Sequence, residues 1–211
     1  SQNTEYKIGV LYAYAAQHSE EEFYNNILDY STASKGNQFY DFLGLISSRV
    51  RLKDYKGYKA GLDVLNDTTG EYSWTARHHS VDIMFHVCTE LPFTETNDNS
   101  KYWEDFVEYR KRVLKLLFSS DFLKAAIGND IVTIVFLKED FHGPAFSPAL
   151  IRSKFQQVFI IVKPVNNGQY YRVAVARHRL VPLFGPPLKP CYTRHELKDF
   201  ILTKIINAEN A

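Results

Sequence analysis

The sequence predicts an α/β fold, a single domain in which helices flank a central mixed sheet. Residues 130–137 and 158–162 are short apolar runs rich in β-branched residues, which predicts central strands covered on both faces. Other stretches carry apolar residues at helical spacing. The 211 residues are 45% hydrophobic and contain no internal repeat, so one mixed domain is the economical interpretation.

The first half of the chain begins with a strand followed by a helix. Residues 6–13 form an apolar opening strand, and Ser19 with Glu22 three residues later forms a capping box that begins a helix. Apolar residues within 39–46 recur at three- and four-residue spacing and predict a helix that packs on the sheet. Glycines then punctuate residues 57–70 and predict a looped region.

The middle of the chain alternates again between a strand and helices. Residues 81–88 alternate strictly between two sets of side chains and predict a strand with two distinct faces, one of which carries His86. Residues 101–118 predict an amphipathic surface helix. Ser147, with Pro148 at the first helical position, predicts the start of a short helix.

The C-terminal part combines a strand, a connector and a helix. Residues 170–176 predict a further strand, whereas the prolines of 181–190 (VPLFGPPLKP) lack amide donors and predict an ordered or extended connector. Thr193 and Glu196 form a second capping box, ahead of a helix that runs almost to the last residue. A chain that ends so close to a helix is expected to be a domain cut from a longer protein.

Composition and charge exclude several classes of protein. The formal net charge of +1 argues against a dedicated nucleic-acid or anionic-membrane binder, although local patches stay open. The balance is uneven, with −4 over residues 1–48, −2 over 49–150 and +7 over 151–211. Such a polarised charge distribution is suited to orienting a protein partner.

Cysteine usage and hydropathy predict the compartment. Cys88 and Cys191 are far apart and form no CxxC pair, which favours a reducing setting over a disulfide framework or a cysteine zinc site. No run approaches the ~18 apolar residues that span a bilayer, and the polar opening lacks the features of a signal peptide. We therefore expect a cytoplasmic protein without a transmembrane segment.

The sequence offers no familiar catalytic or nucleotide-binding motif. It contains no GxxxxGK[ST] loop, no GxGxxG after a strand and no GxSxG elbow, so intrinsic nucleotide hydrolysis and a covalent hydrolytic intermediate are not expected. The histidines lack metal-ligand spacing, so no metal site is predicted. Those considered are His78, His79, His86, His142, His178 and His195.

One short constellation stands out, the run IGNDIV at residues 127–132. It lies between a helical pattern and the predicted strand 130–137. Local physics alone explains Gly128 and Asn129 as a turn, because both residue types tolerate the left-handed conformation that ends helices. Asp130 has the equally ordinary explanation of capping this junction.

The sequence around this run resembles the Rap/Ran-type GTPase-activating protein domain over nearly the whole chain. Six ordered motifs carry the resemblance: GVLYAYAAQHSEEEFYNN (9–26), KGYKAGLD (56–63), IMFHVCTELPFT (83–94), IGNDIVTIVF (127–136), FSPALIRSKFQQVFIIV (146–162) and VPLFGPPL (181–188). The tail FILTKIINAENA is similar to the Rap-directed branch. The resemblance implies that residues 1–211 form a catalytic domain, similar in architecture to a small GTPase, that accelerates GTP hydrolysis on a Rap-type partner. GTP and Mg²⁺ would then belong to the partner, and the domain itself would need no cofactor.

The resemblance also implies the site residues. It makes Asn129 the asparagine "thumb" supplied in trans, whose carboxamide has both an acceptor and donors for the attacking water and the phosphate. His86, Asp130 and Gly128 would support it. Arg110, Lys111 and Arg112 match the basic run that docks the thumb helix on the GTPase, although a solvated helix face is the ordinary explanation of such a run. For His86, an outward-facing histidine on an alternating strand is a comparable alternative.

One departure from the family pattern separates two hypotheses. In the family the basic run directly precedes IGNDIV, whereas here residues 113–126 (VLKLLFSSDFLKAA) intervene, and Lys124 takes the place of a basic residue before the thumb. The chain is then either an active GTPase-activating domain or a noncatalytic or autoinhibited GTPase-binding module whose insert covers the thumb. The family usually carries a dimerisation region that this chain lacks, so the oligomeric state stays open.

Overall fold

A mixed sheet of eight strands organises the part of the chain that this computed structural model describes, which is residues 4–13, 36–90, 130–141 and 155–211. In chain order the elements are β1 Glu5–Ala13, α1 Gln38–Ile46, β2 Ser48–Arg51, β3 Tyr72–His78, β4 Val81–Val87, β5 Val132–Leu137, β6 Val158–Val165, β7 Tyr170–Arg177, β8 Tyr192–Thr193 and α2 Arg194–Glu209. The predicted α/β class with a central mixed sheet is confirmed.

The order of the strands is β2-β3-β4-β1-β5-β6-β7-β8. The four inner strands β4, β1, β5 and β6 are parallel to one another, and the strands outside them pair antiparallel. Strands in the middle of such a sheet are covered on both faces, which explains why β1 and β5 are buried along almost their whole length. The predicted central position of β5 and β6 is therefore confirmed.

Helix α1 packs its apolar stripe on one face of the sheet. Asn37 caps its N-terminus by accepting a hydrogen bond from the amide of Phe39, and the buried side chains follow at helical spacing. Phe39 stacks on Tyr12 of β1 at 4.8 Å between ring centroids, and Phe42 stacks on Phe136 of β5 at 5.2 Å. These stacked pairs form the aromatic centre of the core.

Helix α2 lies beside α1 and fixes the connector that precedes it. The capping box of Thr193 and Glu196 is present as the sequence predicts, and Tyr192 of β8 stacks on Phe200. Residues 181–190 contain no strand, which confirms the predicted connector. The connector is held in place by Lys204, whose ammonium group donates to the carbonyls of Phe184 and Pro186.

Three strands were not anticipated from the sequence, namely β2, β3 and the two-residue β8. β2 has only four residues, and β3 mixes Tyr, Ser, Trp, Thr, Ala, Arg and His, so neither shows a clear apolar run. Between them residues 52–71 form the predicted loop, in which Gly70 has a φ of +104° and approaches the carbonyl of Glu90 so closely that a Cβ would lie 2.3 Å from its oxygen.

Three predicted helices cannot be compared with this fold. The helix begun by Ser19 and Glu22, the helix over 101–118 and the helix begun by Ser147 and Pro148 lie outside the described residues. Across 4–13, 36–90, 130–141 and 155–211, neither helix is long and apolar enough to cross a lipid bilayer.

Candidate functional site

Asp130 is the described residue closest to the predicted thumb, because it directly follows Asn129 and leads into β5. Only 6% of its surface is exposed. The next residue, Ile131, accepts hydrogen bonds through its carbonyl from the amides of Gln157 and Val158, at 2.8 and 3.0 Å. The chain that enters β5 is thus tied to the start of β6, and a carboxylate is buried at the point where it enters.

His86 of β4 provides the first partner of this carboxylate. Its Nδ1 lies 3.0 Å from Oδ2 of Asp130, and its Nε2 lies 3.2 Å from the carbonyl oxygen of Ala60. A carbonyl oxygen only accepts, so Nε2 carries a proton. The hydrogen bond between Nδ1 and Oδ2 needs one proton, carried either by the ring nitrogen or by the carboxyl group. The two contacts together fix the plane of the ring.

Gly9 of β1 lies in the sheet between the strand of His86 and the strand that follows Asp130. β1 lies between β4 and β5, and Gly9 is paired in register with His86 on one side and Thr133 on the other. The imidazole must reach across β1 to meet Asp130. A Cβ on Gly9 would lie 3.0 Å from Oγ1 of Thr133, which is tighter than an ordinary van der Waals contact. A side chain at this position would therefore crowd Thr133.

Lys7 of β1 provides a second positive charge. The residue is 7% exposed, and its Nζ lies 4.0 Å from Oδ1 of Asp130. Burial lowers the pKa of Lys7, while the charges of Asp130 and Glu209 act in the opposite direction. Neither Nζ of Lys7 nor Oδ1 of Asp130 has a hydrogen-bond partner among the described residues. The pair is therefore held by charge at a distance rather than by a direct hydrogen bond.

Glu209, the last residue of α2, brings a second carboxyl group to the same region. Burial raises its pKa to about 8, the nearby charge of Asp130 adds to the rise, and the Val132 amide and Lys7 counteract it. The group is thus largely neutral at pH 7. Its Oε1 is buried and has no hydrogen-bond partner within the described part of the chain. Two carboxyl groups and two basic groups therefore meet where β5 begins.

The structure brings together two of the predicted site residues. His86 is hydrogen-bonded to Asp130, with side chains 19% and 9% exposed, so His86 is not an unpaired residue facing solvent. Lys7 and Glu209 were missed by sequence reasoning. The available signal for Lys7 was a single charged residue within an apolar strand. The remaining predicted residues lie outside the described residues, as does the insert 113–126; they are Asn129, Gly128, Arg110, Lys111, Arg112 and Lys124.

Among the residues that the structure describes, one group of side chains has metal-ligand chemistry, where the turn between β3 and β4 meets α2. The ligand atoms of His78, His79 and Asp199 all lie within 4.8 Å of one another. His78 already has a partner, because its Nε2 lies 3.0 Å from Oγ1 of Thr203. Ligand atoms around a tetrahedral zinc ion at ~2.1 Å are only about 3.4 Å apart. The three groups would have to move closer together to share an ion, and the expected lack of a metal site stays a prediction.

Comparison with known proteins gives consistent matches. A family model described as Rap/ran-GAP matches residues 27–211. Signal-induced proliferation-associated 1-like protein 1 of Mus musculus is 41% identical and aligns with 99% of this chain and 10% of that protein. GTPase-activating Rap/Ran-GAP domain-like protein 3 of Gallus gallus is 39% identical, over 98% of this chain and 20% of that protein. The chain thus spans between a tenth and a fifth of these curated relatives.

A solved structure gives the same answer for the fold. The structure of the TSC2 GAP domain superposes with a TM-score of 0.68, covering 97% of this chain and 96% of that chain. The two sequences are 22% identical, so this similarity supports the architecture alone.

Proposed function

The chain belongs to the Rap/Ran-GAP family, and from this premise we propose that it stimulates GTP hydrolysis by a Rap-type small GTPase. The observation that carries the proposal is the match of the family model to residues 27–211, which include the whole IGNDIV run. The partner supplies GTP and Mg²⁺, so the domain needs no cofactor. Its place of action is the cytoplasm.

The proposed chemistry uses Asn129 as a residue supplied in trans. A carboxamide has no useful pKa and cannot act as a general base, but it can orient the attacking water and donate to a phosphate oxygen. Positioning and electrostatic stabilisation are the main contributions that proteins make to phosphoryl transfer. Asn129 fits this role because it needs only to be held in place.

The arrangement around Asp130 supports this role through positioning. Asp130 is covalently next to Asn129, and it is buried between His86 on β4 and Lys7 on β1. A residue whose neighbour is fixed by two strands of the sheet pays less conformational entropy when it enters a partner's site. In this proposal His86 and Asp130 are positioning residues, and Gly128 gives the turn its freedom. The basic residues Arg110, Lys111, Arg112 and Lys124 would contact the GTPase.

Single-turnover hydrolysis of GTP by a purified Rap-type GTPase tests the proposal. The wild-type chain is expected to accelerate hydrolysis, and Asn129→Ala is expected to lose about a hundredfold or more of the acceleration, as when a single positioned donor is removed. Asn66→Ala is the matched control, because Asn66 is an exposed asparagine on the 52–71 loop. Equal acceleration by wild type and Asn129→Ala would remove Asn129 from the mechanism. Parallel reactions with Ral and Rheb relatives define the specificity.

The insert 113–126 gives a second candidate function, a GTPase-binding module that does not catalyse. Such a module would bind the GTP-loaded partner without accelerating hydrolysis. If the insert covers the thumb, deletion of residues 113–126 would raise the rate. An active wild-type chain that is unchanged or weakened by the deletion excludes autoinhibition by this segment.

A further inference from the structure

The segment that ends β7 and leads to β8, residues 177–190 and called here the 177–190 loop, exposes several large apolar side chains. Leu183 is 86% exposed, Leu180 is 78% exposed and Leu188 is 46% exposed. Single exposed leucines are common on soluble proteins, whereas two leucines exposed to this degree and only three residues apart mark a candidate contact surface.

The same loop is basic. It contains Arg177, His178, Arg179 and Lys189 and no acidic residue. Lys189 is paired with Glu196 at 3.0 Å. Arg177 donates to the neutral carbonyl of Val181 and forms no ion pair with a carboxylate among the described residues. Arg179 is exposed and makes no ion pair with any residue that the structure describes. Two arginines therefore lie within three residues of the exposed Leu180 in the chain.

Residues 184–186 of the loop are tied to α2 by hydrogen bonds. Lys204 of α2 is 4% exposed, and its ammonium group donates to the carbonyls of Phe184 and Pro186 at 2.8 and 2.7 Å. Asn207 donates to the carbonyl of Gly185 at 2.9 Å. Four prolines within 181–190 restrict the backbone further. A loop fixed in this way presents its leucines outward and loses little entropy on binding.

We propose that the 177–190 loop docks on an anionic lipid bilayer. Leu180 and Leu183 would enter the boundary between headgroups and acyl chains, and Arg177 and Arg179 would contact lipid phosphates. Exposed apolar side chains flanked by basic residues are the pattern by which peripheral proteins bind such surfaces. The near-zero charge of the whole chain does not oppose this, because the relevant charge is local and unmixed with acidic residues.

The loop begins close to the candidate site, which gives the docking a geometric consequence. The amide of His178 donates to the carbonyl of Gln157, and the amide of Gln157 donates to the carbonyl of Ile131, the residue after Asp130. A bilayer bound at the loop would thus lie near the end of the sheet at which the inner strand β5 begins. The proposal does not depend on the proposed GTPase-activating function, because lipid binding is measured without a GTPase.

Cosedimentation of the purified chain with vesicles tests the proposal. The wild type is expected to bind phosphatidylcholine vesicles that contain about 30% phosphatidylserine, to bind pure phosphatidylcholine much more weakly and to dissociate at high salt. The double substitution Leu180→Ser and Leu183→Ser is expected to weaken binding about tenfold. Arg179→Glu is expected to weaken it at least about fivefold.

Leu65→Ser is the matched control, because Leu65 is 68% exposed but lies on the 52–71 loop. It should bind like the wild type, and all variants should keep the wild-type melting temperature because the changed side chains are exposed. No binding to phosphatidylserine vesicles, or an equal loss for Leu65→Ser, would overturn the proposal. A double leucine variant that binds vesicles normally but raises the KM for a soluble GTPase would instead make the loop a protein-docking surface.

Discussion

The side chain of Asp130 shows how a buried charge is arranged for a positional role. The carboxylate has a hydrogen-bonded partner in His86 and a charged neighbour in Lys7, and these come from two different strands. An isolated buried carboxylate would be costly, and removing one member of a buried pair typically costs about 3–5 kcal/mol. The arrangement is therefore sensitive to single substitutions. Suitable substitutions can distinguish a role of His86 in positioning Asp130 from a role in stabilising the fold.

Two substitutions of His86 are expected to differ in their effect on activity. The amide nitrogen of an asparagine approximates Nδ1 of histidine, whereas that of a glutamine approximates Nε2. His86→Asn should therefore keep a donor to Asp130, while His86→Gln should keep one only to the carbonyl of Ala60. We expect His86→Gln to lower kcat for stimulated GTP hydrolysis about tenfold to a hundredfold, as a displaced catalytic group does, with a small change in KM. His86→Asn should retain more of the rate.

The control for this pair is His195→Asn, on an exposed histidine in the first turn of α2. It should change neither kcat nor KM. A purely structural role for His86 predicts that activity follows the melting temperature for both substitutions. Equal kcat values for His86→Asn and His86→Gln would therefore count against positioning through Asp130.

The sequence predicts some residues of the cluster around Asp130 and not others. The cluster consists of His86, Asp130, Lys7 and Glu209. His86 and Asp130 belong to motifs that resemble the family, so they could be named from the sequence. Lys7 sits in the apolar run YKIGVLYA, where a lysine gives no sign of which strand will lie beside it. Glu209 is 79 positions from Asp130, and only the packing of α2 brings the two charges together. Long-range placement of this kind is set by tertiary packing and leaves no local pattern.

Among the elements, α2 connects several parts of the molecule. Its N-terminus is fixed by the capping box, its middle holds the 177–190 loop through Lys204, and its last residue reaches the start of β5. Hydrogen bonds from the Thr193 amide and from Lys189 lower the pKa of Glu196 to about 2, so its carboxylate is ionised across the physiological range.

Removal of the helix cap is expected to destabilise the whole fold modestly. Thr193→Ala deletes the hydroxyl that accepts from the amide of Glu196 and should lower the free energy of unfolding by about 1 kcal/mol. In a chain of this size that corresponds to a fall of roughly 2–4 °C in melting temperature, measurable by circular dichroism. Thr193→Ser keeps a hydroxyl and should recover most of the loss. Equal destabilisation by alanine and serine would show that the hydroxyl does not act as the cap.

Elements whose residues follow one clear hydrophobic pattern were predicted well, and β3, which mixes polar and aromatic residues, was not. The strands β1 and β5 are apolar throughout because the parallel centre of the sheet is covered on both faces. β3 pairs antiparallel with β4 and carries Ser, Thr, Arg and His among its aromatic residues. Its hydroxyl groups form hydrogen bonds to the backbone of β4, because Ser73 donates to the carbonyl of Phe85 and Thr75 donates to the carbonyl of Ile83. Such pairing is visible only once the partner strand is known.

For the molecule as a whole, the sheet order explains how distant residues form one cluster. β1 lies between β4 and β5, so Lys7 lies between the strand of His86 and the strand that follows Asp130. The C-terminal end of α2 closes the cluster with Glu209. Because four separate parts of the chain contribute, the ionisation of this cluster is coupled to global folding rather than to the opening of one loop.

This coupling predicts a pH dependence of stability that Glu209 controls. Its pKa is raised by burial to about 8, from the ordinary value of 4.5, so the folded state holds a proton that the unfolded state has lost between these two values. The stability that protonated Glu209 contributes to the fold is fully present below about pH 4.5. It declines as the pH rises and is lost above about pH 8. Glu209→Gln removes this titration. The melting temperature of the variant minus that of the wild type should therefore grow by several degrees between pH 5 and pH 9.

The difference in melting temperature between Glu209→Gln and the wild type isolates the effect of Glu209 from that of the neighbouring titratable groups. Burial lowers the pKa of Lys7 and raises the pKa of Tyr58, and both groups are present in the wild type and in the variant, so their titration cancels in the difference. Glu71→Gln is the matched control, because its carboxylate is 62% exposed and paired with Arg51 on the surface. Its difference from the wild type should stay flat with pH. A flat difference for Glu209→Gln as well would mean that Glu209 is not held neutral in the fold, and that the charge beside Asp130 is solvated rather than buried.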